Sequence, residues 1–408
     1  MKPVILTLTG YYLPGYRGGG PIRTIANMVD QLSADFEFRI VTHDRDLGDI
    51  EPYEGITPDE WTEVGDAKVL YSSPSQRSWR DVLRLVRKTP HDILYLHGFF
   101  DAEYTVPLVL ARWLGLVAEH PVVIAPRGEF SDGAYRLKKW KKAPFVAFAR
   151  TARLYDDVVW HASTAHEVAD IKRVMGASRL RIHETRNIVV APDLVEAVSV
   201  TAAARGQDGA SENAELRVCF LSRISPKKNL DFALRVLAKT RVPARFDIYG
   251  PIEASRYWQE CQGLIAELPG HIRVNYGGGV EHASVRSTIG GYNVFFLPTK
   301  GENFGHVFLE AWSAGVPVLM SDQTPWLDLE SRGLGWALPL DRLEMFVAAL
   351  ESAAGWDATE RSSIHDRCIS FATEMATDQA ALEMNRRLFR DALDSRATSL
   401  ASGGEAPL

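Results

Sequence analysis

Cysteine is scarce: the 408-residue chain has three, Cys219, Cys261 and Cys368, odd in number and far apart. This excludes a disulfide framework, and the absence of any ligand rhythm around them gives no sign of a zinc site. A reducing cytosol fits such usage best. Long hydrophobic runs are also missing. The most apolar stretch, 106–117, is interrupted by Arg112 and falls short of the roughly 20 residues that cross a bilayer. The opening run from Met1 to Gly10 is too short for a signal peptide and reads as a buried first strand. Positive charge is not in excess either: 46 Lys and Arg face 52 Asp and Glu, a net charge of −6. Nucleic acid is therefore not expected as a partner, and an anionic lipid surface would need a local basic patch.

What is present is ordinary globular composition, 46% hydrophobic and 24% charged, which can bury large cores. At roughly 150 residues per domain the length predicts two or three domains. Short β-branched runs alternate with helical patterns, and this predicts an α/β chain with parallel sheets covered on both faces. Strands are expected near 4–8, 38–42, 93–96, 122–125 and 158–162, with a helix over 22–32 whose apolar positions share one face. The pattern stops over 202–215, which is small, polar and aperiodic, as a linker would be. It restarts with strands expected at 216–221, 245–249, 272–276, 294–297 and 316–320. The division is therefore a first doubly wound domain over 1–201, a linker over 202–215, a second over 216–375, and a C-terminal helix and tail over 376–408, the helix returning to the first domain. Ligands of such sheets bind at the carboxyl ends of the strands, so the site search belongs there.

Three segments at strand ends could carry chemistry. The strongest runs from Gly301 to Gly315 and contains Glu302, Asn303, Phe304, Gly305, His306, Val307 and Glu310. Its glycines can bring backbone N–H groups and a helix N-terminus against an anion, and its two carboxylates can accept hydrogen bonds from two parts of one polyol. A glutamate favoured by the helix dipole and a second exposed one would look the same from spacing alone. The second segment, Phe220 to Leu230, places Arg223 and Lys228 about a Ser-Pro turn before a helix. Two cations there suit a diphosphate, although Arg and Lys are common on any loop. The third, Tyr12 to Arg23, holds Gly18, Gly19 and Gly20, which permit close backbone approach, yet Arg23 stands where a dinucleotide fingerprint needs its third glycine. Asp44 and Asp46 could mimic a ribose-binding acid or a metal-binding Asp-x-Asp, but Asp residues at strand ends are ordinary.

Taken together, Glu302 and Glu310 with seven residues between them, the Arg223 to Lys228 turn and the triple glycine resemble the family 4 retaining glycosyltransferases, from Gly10 to about Gly335. The resemblance implies the GT-B fold, two Rossmann-like domains facing across a cleft. It implies that Arg223 and Lys228 hold the donor diphosphate and stabilise the leaving group, that Glu302 contacts donor-sugar hydroxyls and that Glu310 holds the ribose. Asn303, Phe304 and the Gly305-His306-Val307 backbone would line the donor, and Gly19 and Gly20 would close on the phosphates from the other domain. No metal and no cofactor is implied; the nucleoside diphosphate sugar is a substrate. Similar enzymes often have a His where Arg127 stands in Ala125-Pro126-Arg127-Gly128-Glu129, so the acceptor-side candidates are His97, Arg127 and Glu129. Asn187 precedes Ile188 where the family commonly has Gly, and stays outside the site.

The expected activity is transfer of a sugar to a hydroxyl of a glycan or lipid-linked acceptor, in the synthesis of cell-surface polysaccharide. The alternatives are a sugar-nucleotide epimerase or phosphorylase of the same fold, or a noncatalytic nucleotide-sugar-binding protein. The segment from Tyr135 to Phe145 interleaves Arg136, Lys138, Lys139, Lys141 and Lys142 with aromatics. It reads either as a solvated helix face or as an interfacial helix, which would hold a cytoplasmic enzyme peripherally on an anionic membrane.

Overall fold

The computed structural model describes residues 2–118, 120–136, 139–176, 188–196 and 215–402. Two units partition the chain: Met1–Leu194 with Gln379–Leu408, and Val195–Asp378.

In the first unit the apolar runs become strands β1 (Val4–Leu8), β2 (Glu37–His43), β3 (Trp61–Val64), β4 (Ala67–Ser72), β5 (Ile93–His97), β6 (Val122–Ala125), β7 (Val158–Ala162) and β8 (Ile188–Val190). Their order is β3-β4-β2-β1-β5-β6-β7-β8, with only the β3–β4 pair antiparallel among these neighbours. Neighbouring residues on each strand enter different cores: Ile5, Tyr95 and Val123 lie on one face, Leu6, Leu96 and Ile124 on the other. Both faces are apolar because helices cover both.

The second unit repeats the plan with β9 (Leu216–Leu221), β10 (Ala244–Tyr249), β11 (Ile272–Gly278), β12 (Val294–Leu297), β13 (Val318–Ser321) and β14 (Gly335–Leu338). These are parallel throughout, in the order β11-β10-β9-β12-β13-β14. The strand order reverses between β1 and β5 in the first sheet and between β9 and β12 in the second. At such switch points the loops leaving the two strands diverge and open a crevice.

The expected α/β class with two doubly wound sheets is the observed one, and several boundaries move. Unit two begins at Val195, not after 201, because Val195 already packs in the second core; 197–214, which holds most of the expected linker, lies outside the described residues. The strand expected at 316–320 starts at Val318, since Pro317 has no N–H for the ladder. The helix expected at 22–32 starts at Gly20, with Pro21 in its first turn, where the missing N–H costs nothing. Strands β3, β4, β8 and β14 were not expected. β3 is an exposed hairpin edge and β14 opens on a glycine, so neither shows a buried β-branched run. All three cysteines are free and buried.

A capping box of Asp357 and Glu360 starts the helix Ala358–Ala376. The next helix, Gln379–Ser402, belongs to the first unit. Its Phe389 is fully buried, with ring centroids 5.4 Å from Phe36 and 5.4 Å from Tyr95. Arg386 Nε lies 2.8 Å from Asp35, and Asn385 Nδ2 donates to the Pro192 carbonyl at 2.8 Å. Of the C-terminal helix and tail expected over 376–408, residues 403–408 lie outside the described residues, and Ala401 and Ser402 end this helix. No described helix is long and apolar enough to cross a membrane. Phe389→Ala should lower the free energy of unfolding by about 3–5 kcal/mol, the usual cost of an emptied aromatic site. Urea denaturation checks this, and a loss below about 1 kcal/mol would contradict the packing described.

Candidate functional site

The second switch point gathers the loops after β9 and β12. Leaving β9, the chain passes Ser222 and Arg223, turns at Ser225-Pro226 and enters the helix Leu230–Leu237 through Asn229, whose φ of 64° is left-handed. Asn229 tolerates this conformation and secures the turn by donating from Nδ2 to the Pro298 carbonyl, 2.9 Å away at the end of β12. Lys300 N–H donates to the Lys227 carbonyl at 2.8 Å, a second link between the loops. The third link is ionic: Lys228 Nζ pairs with Glu302 Oε1, and both side chains are largely buried.

Glu302 also accepts from Thr299 Oγ1 at 3.2 Å, and its own N–H donates to the Gln323 carbonyl at 3.1 Å. Burial alone would raise its pKa, but Lys228, Lys227 and the hydrogen bonds from Lys228 and Thr299 outweigh it and hold the carboxyl below its ordinary value. Lys227 is shifted down, first by burial and then by Lys228 and Arg223, against the pull of Glu302 and Glu253. Arg223 is more exposed and pairs with Glu253 at 3.0 Å. Its approach to β10 depends on Gly250, with φ 128°, where a Cβ would lie 2.0 Å from the Ser222 carbonyl oxygen.

After Glu302 the loop is pinned by aromatics. Phe304 is buried against Trp326, ring centroids 5.2 Å apart, and Trp326 Nε1 donates to the Phe304 carbonyl at 2.6 Å. Gly305 then takes φ 81° and starts the helix His306–Ser313, which no side chain caps; a Cβ there would sit 2.6 Å from the Phe308 ring. Glu310 lies on this helix, its Oε1 3.4 Å from His282 Nδ1. Arg223, Lys228, Glu302, Asn303, Phe304, Gly305, His306, Val307 and Glu310 thus all lie at the carboxyl end of the second sheet. Lys227, Glu253, Gln323, Trp326 and His282 were not singled out from sequence. The Ser321 to Trp326 segment follows a strand end, and that position was the available signal.

The remaining candidates belong to the first unit. Gly19 has φ 78° and precedes Gly20, the first residue of the helix Gly20–Leu32. Asp46 accepts from the N–H groups of Tyr16 at 2.8 Å and Arg17 at 3.0 Å, and so holds this glycine loop instead of a ribose or a metal. Asp44 pairs with Arg45. Among the described residues no group of three or more His, Cys, Asp or Glu is arranged to hold a metal ion.

Arg127 is buried with φ 54°, Nη1 2.5 Å from Asp193 and Nη2 donating to Tyr95 Oη at 2.7 Å. Tyr95 Oη lies 2.7 Å from His161 Nδ1, and His161 Nε2 lies 2.8 Å from the Ala191 carbonyl. One proton arrangement satisfies all of them: Arg127 donates to Tyr95, Tyr95 to Nδ1, and Nε2–H to the carbonyl, leaving the imidazole neutral. Burial first, then Arg127, pushes His161 down to about 3, in agreement. Glu129 accepts from Phe99 N–H at 2.5 Å and Phe100 N–H at 3.0 Å, bracing the turn after β5. His97, at the end of β5 beside the first switch point, is different. It is buried, and neither ring nitrogen has a hydrogen-bond partner. Burial, Arg127 and His161 hold its pKa well below the usual value, so it is neutral.

Residues 205–354 match the family described as Glycosyl transferases group 1. No curated protein matches the chain. Sucrose-phosphate synthase from Thermosynechococcus elongatus superposes with a TM-score of 0.69 at 14% identity, covering 97% of this chain and 100% of that one. HepE of Anabaena, in complex with UDP and glucose, gives 0.64 at 14% over 98% and 100%. WaaG, a glycosyltransferase involved in lipopolysaccharide biosynthesis, gives 0.63 at 13% over 94% and 98%.

Glu302→Gln should remove the counter-charge of two lysines and destabilise the protein by about 3 kcal/mol at pH 7, the order expected for breaking a buried pair. Because the folded carboxyl titrates below its ordinary value of 4.5, its stabilisation is present above that value and lost as pH falls through the folded one. The gap between parent and variant should therefore narrow below about pH 4.5 in urea titrations, and a gap that widened would refute the assignment. This loop system lies within the segment of the second unit that is similar to the glycosyl transferases group 1 family, in a chain with the GT-B fold.

Proposed function

We propose that this protein is a retaining glycosyltransferase of the family 4 type that moves a sugar from a nucleoside diphosphate sugar to a hydroxyl of a glycan or lipid-linked glycan, in cell-surface polysaccharide synthesis. One observation carries the reading: Lys228 and Glu302 meet beside the uncapped start of the helix His306–Ser313, at the switch point of the matched unit. A basic side chain and a helix N-terminus together suit a diphosphate. HepE, of the same fold, has been crystallised with UDP-glucose.

In the proposed reaction the bond between the anomeric carbon and the β-phosphate oxygen breaks, and negative charge grows on that oxygen. Arg223 and Lys228 oppose this charge, stabilising the transition state more than the ground state. The acceptor hydroxyl adds to the face the phosphate leaves, and its proton passes to the departing phosphate. Glu302, kept ionised by Lys228 and Lys227, accepts hydrogen bonds from donor-sugar hydroxyls, while Glu310 takes those of the ribose. Of the acceptor-side candidates, His97 fits best, because Arg127 and Glu129 are already engaged inside their unit. Its neutral ring can exchange a hydrogen bond with the acceptor hydroxyl.

The helix Lys139–Thr151 supports a peripheral membrane role. Trp140, Pro144, Ala147 and Phe148 form an exposed stripe at helical spacing, with Trp140 75% exposed. Exposed Lys139 and Lys141 flank it, the latter 4.8 Å above the Trp140 ring. Lys142 instead turns inward, donating to the Ala134 carbonyl at 2.8 Å and lying 4.9 Å from the Phe100 ring centre. Lys138 is outside the described residues.

UDP, GDP and ADP and their sugars should be screened by thermal shift. A native-state ligand raises the midpoint, so no shift with any of them would overturn the donor reading. With the donor found, Arg223→Ala should cut turnover about a hundredfold with little loss of stability, since its partner is at the surface; unaltered turnover removes Arg223 from the mechanism. In flotation with phosphatidylglycerol vesicles, Trp140→Ala, Phe148→Ala or Lys139→Glu with Lys141→Glu should each weaken association, and binding that survives all of them would sink the membrane role.

A further inference from the structure

We propose that His282 is a positioning residue for the nucleotide, holding Glu310 in the orientation that receives the ribose; this rests on the reading of Glu310 as the ribose ligand. His282 opens the helix His282–Ile289, which is fixed to the second core by Val285 and Ile289 and packs beside the helix carrying Glu310. Its ring lies between two carboxylates: Nδ1 is 3.4 Å from Glu310 Oε1, and Nε2 is 3.1 Å from Glu196 Oε2. Glu196 directly follows Val195, which is itself seated in the second core. The imidazole is therefore braced on one edge by the start of the unit and presents its other edge to Glu310.

The physical reason for such a brace lies in glutamate itself. Its side chain has three rotatable bonds, and ordering them to receive a vicinal diol costs conformational entropy. A donor fixed at Oε1 restricts the carboxylate before the ligand arrives, so less ordering remains to oppose binding. The planar ring suits this role, since in the imidazolium form both nitrogens donate, in divergent directions, and one residue can hold both carboxylates.

The two edges can be separated chemically. In His282→Asn the amide nitrogen can replace Nδ1 and still reach Glu310. In His282→Gln it replaces Nε2 and reaches Glu196. With whichever of UDP, GDP and ADP the parent binds most tightly, calorimetry should give about tenfold weaker binding for His282→Ala and His282→Gln, and binding within about twofold of the parent for His282→Asn. Pyrophosphate, which has no ribose, should bind all variants equally. The inference is overturned if His282→Ala binds the nucleotide normally while Glu310→Ala does not, if Gln rescues and Asn fails, or if pyrophosphate binding falls in step with the nucleotide. Normal nucleotide binding by Glu310→Ala would instead overturn the ribose reading, whatever His282 does.

Discussion

The ion pair between Lys228 and Glu302 is the constraint on which the second unit's site depends. It joins loops that leave β9 and β12, strands adjacent in the sheet but more than seventy residues apart in sequence. Removing either partner leaves a charge with little access to water, which costs far more than the net worth of the intact pair. The surrounding contacts keep the geometry from drifting: Asn229 to Pro298, Lys300 to Lys227, and Trp326 to Phe304. The pair therefore fixes loop conformation, sets the ionisation of Glu302 and holds a cation at the switch point.

The first unit has the same strand plan and solves its polar problem differently. Arg127, Tyr95, His161 and Asp193 form a linked set in which only Arg127 Nε is left without a partner, and Glu129 is absorbed by backbone N–H groups. Such networks rigidify a framework. Other buried side chains, Arg127 among them, also have one polar atom without a partner, but His97 has two, both ring nitrogens, which is costly unless a ligand or water completes them.

Much of this was legible in the sequence because it depends on local pattern. Alternating runs such as Val4–Leu8 and Ile93–His97 gave strands, and the loops rich in Gly, Pro and charge fell at strand ends because strands cannot accommodate them. What escaped depends on register and packing. β3 shows no buried face, so its exposed residues gave no strand signal. Glu253, His282 and Glu196 acquire meaning only from partners that distant segments bring near, and nothing in their own neighbourhoods announces it. The inward turn of Lys142 is of the same kind: a charge run in sequence says nothing about which of its members a helix buries.

The two cations of the proposed donor site are not equivalent, and their carboxylate partners explain why. Without a diphosphate, Arg223, Lys227 and Lys228 would repel one another, so Glu253 and Glu302 act as resident counter-charges. The Arg223–Glu253 pair is exposed enough for water and salt to screen it, and such pairs contribute at most about 1 kcal/mol. A diphosphate can therefore take Arg223 from Glu253 at small cost. Lys228 is sheltered with Glu302, and drawing it away would strand a buried carboxylate, so any phosphate bound there would meet a Lys228 that remains paired. On the proposed reading Lys228 is the fixed electrostatic anchor, whose field is set when the protein folds, and Arg223 is the arm that changes partner when the donor binds. A preorganised anchor avoids reorganisation at the moment of bond breaking, whereas a movable arm adds selectivity for ligands charged enough to displace Glu253.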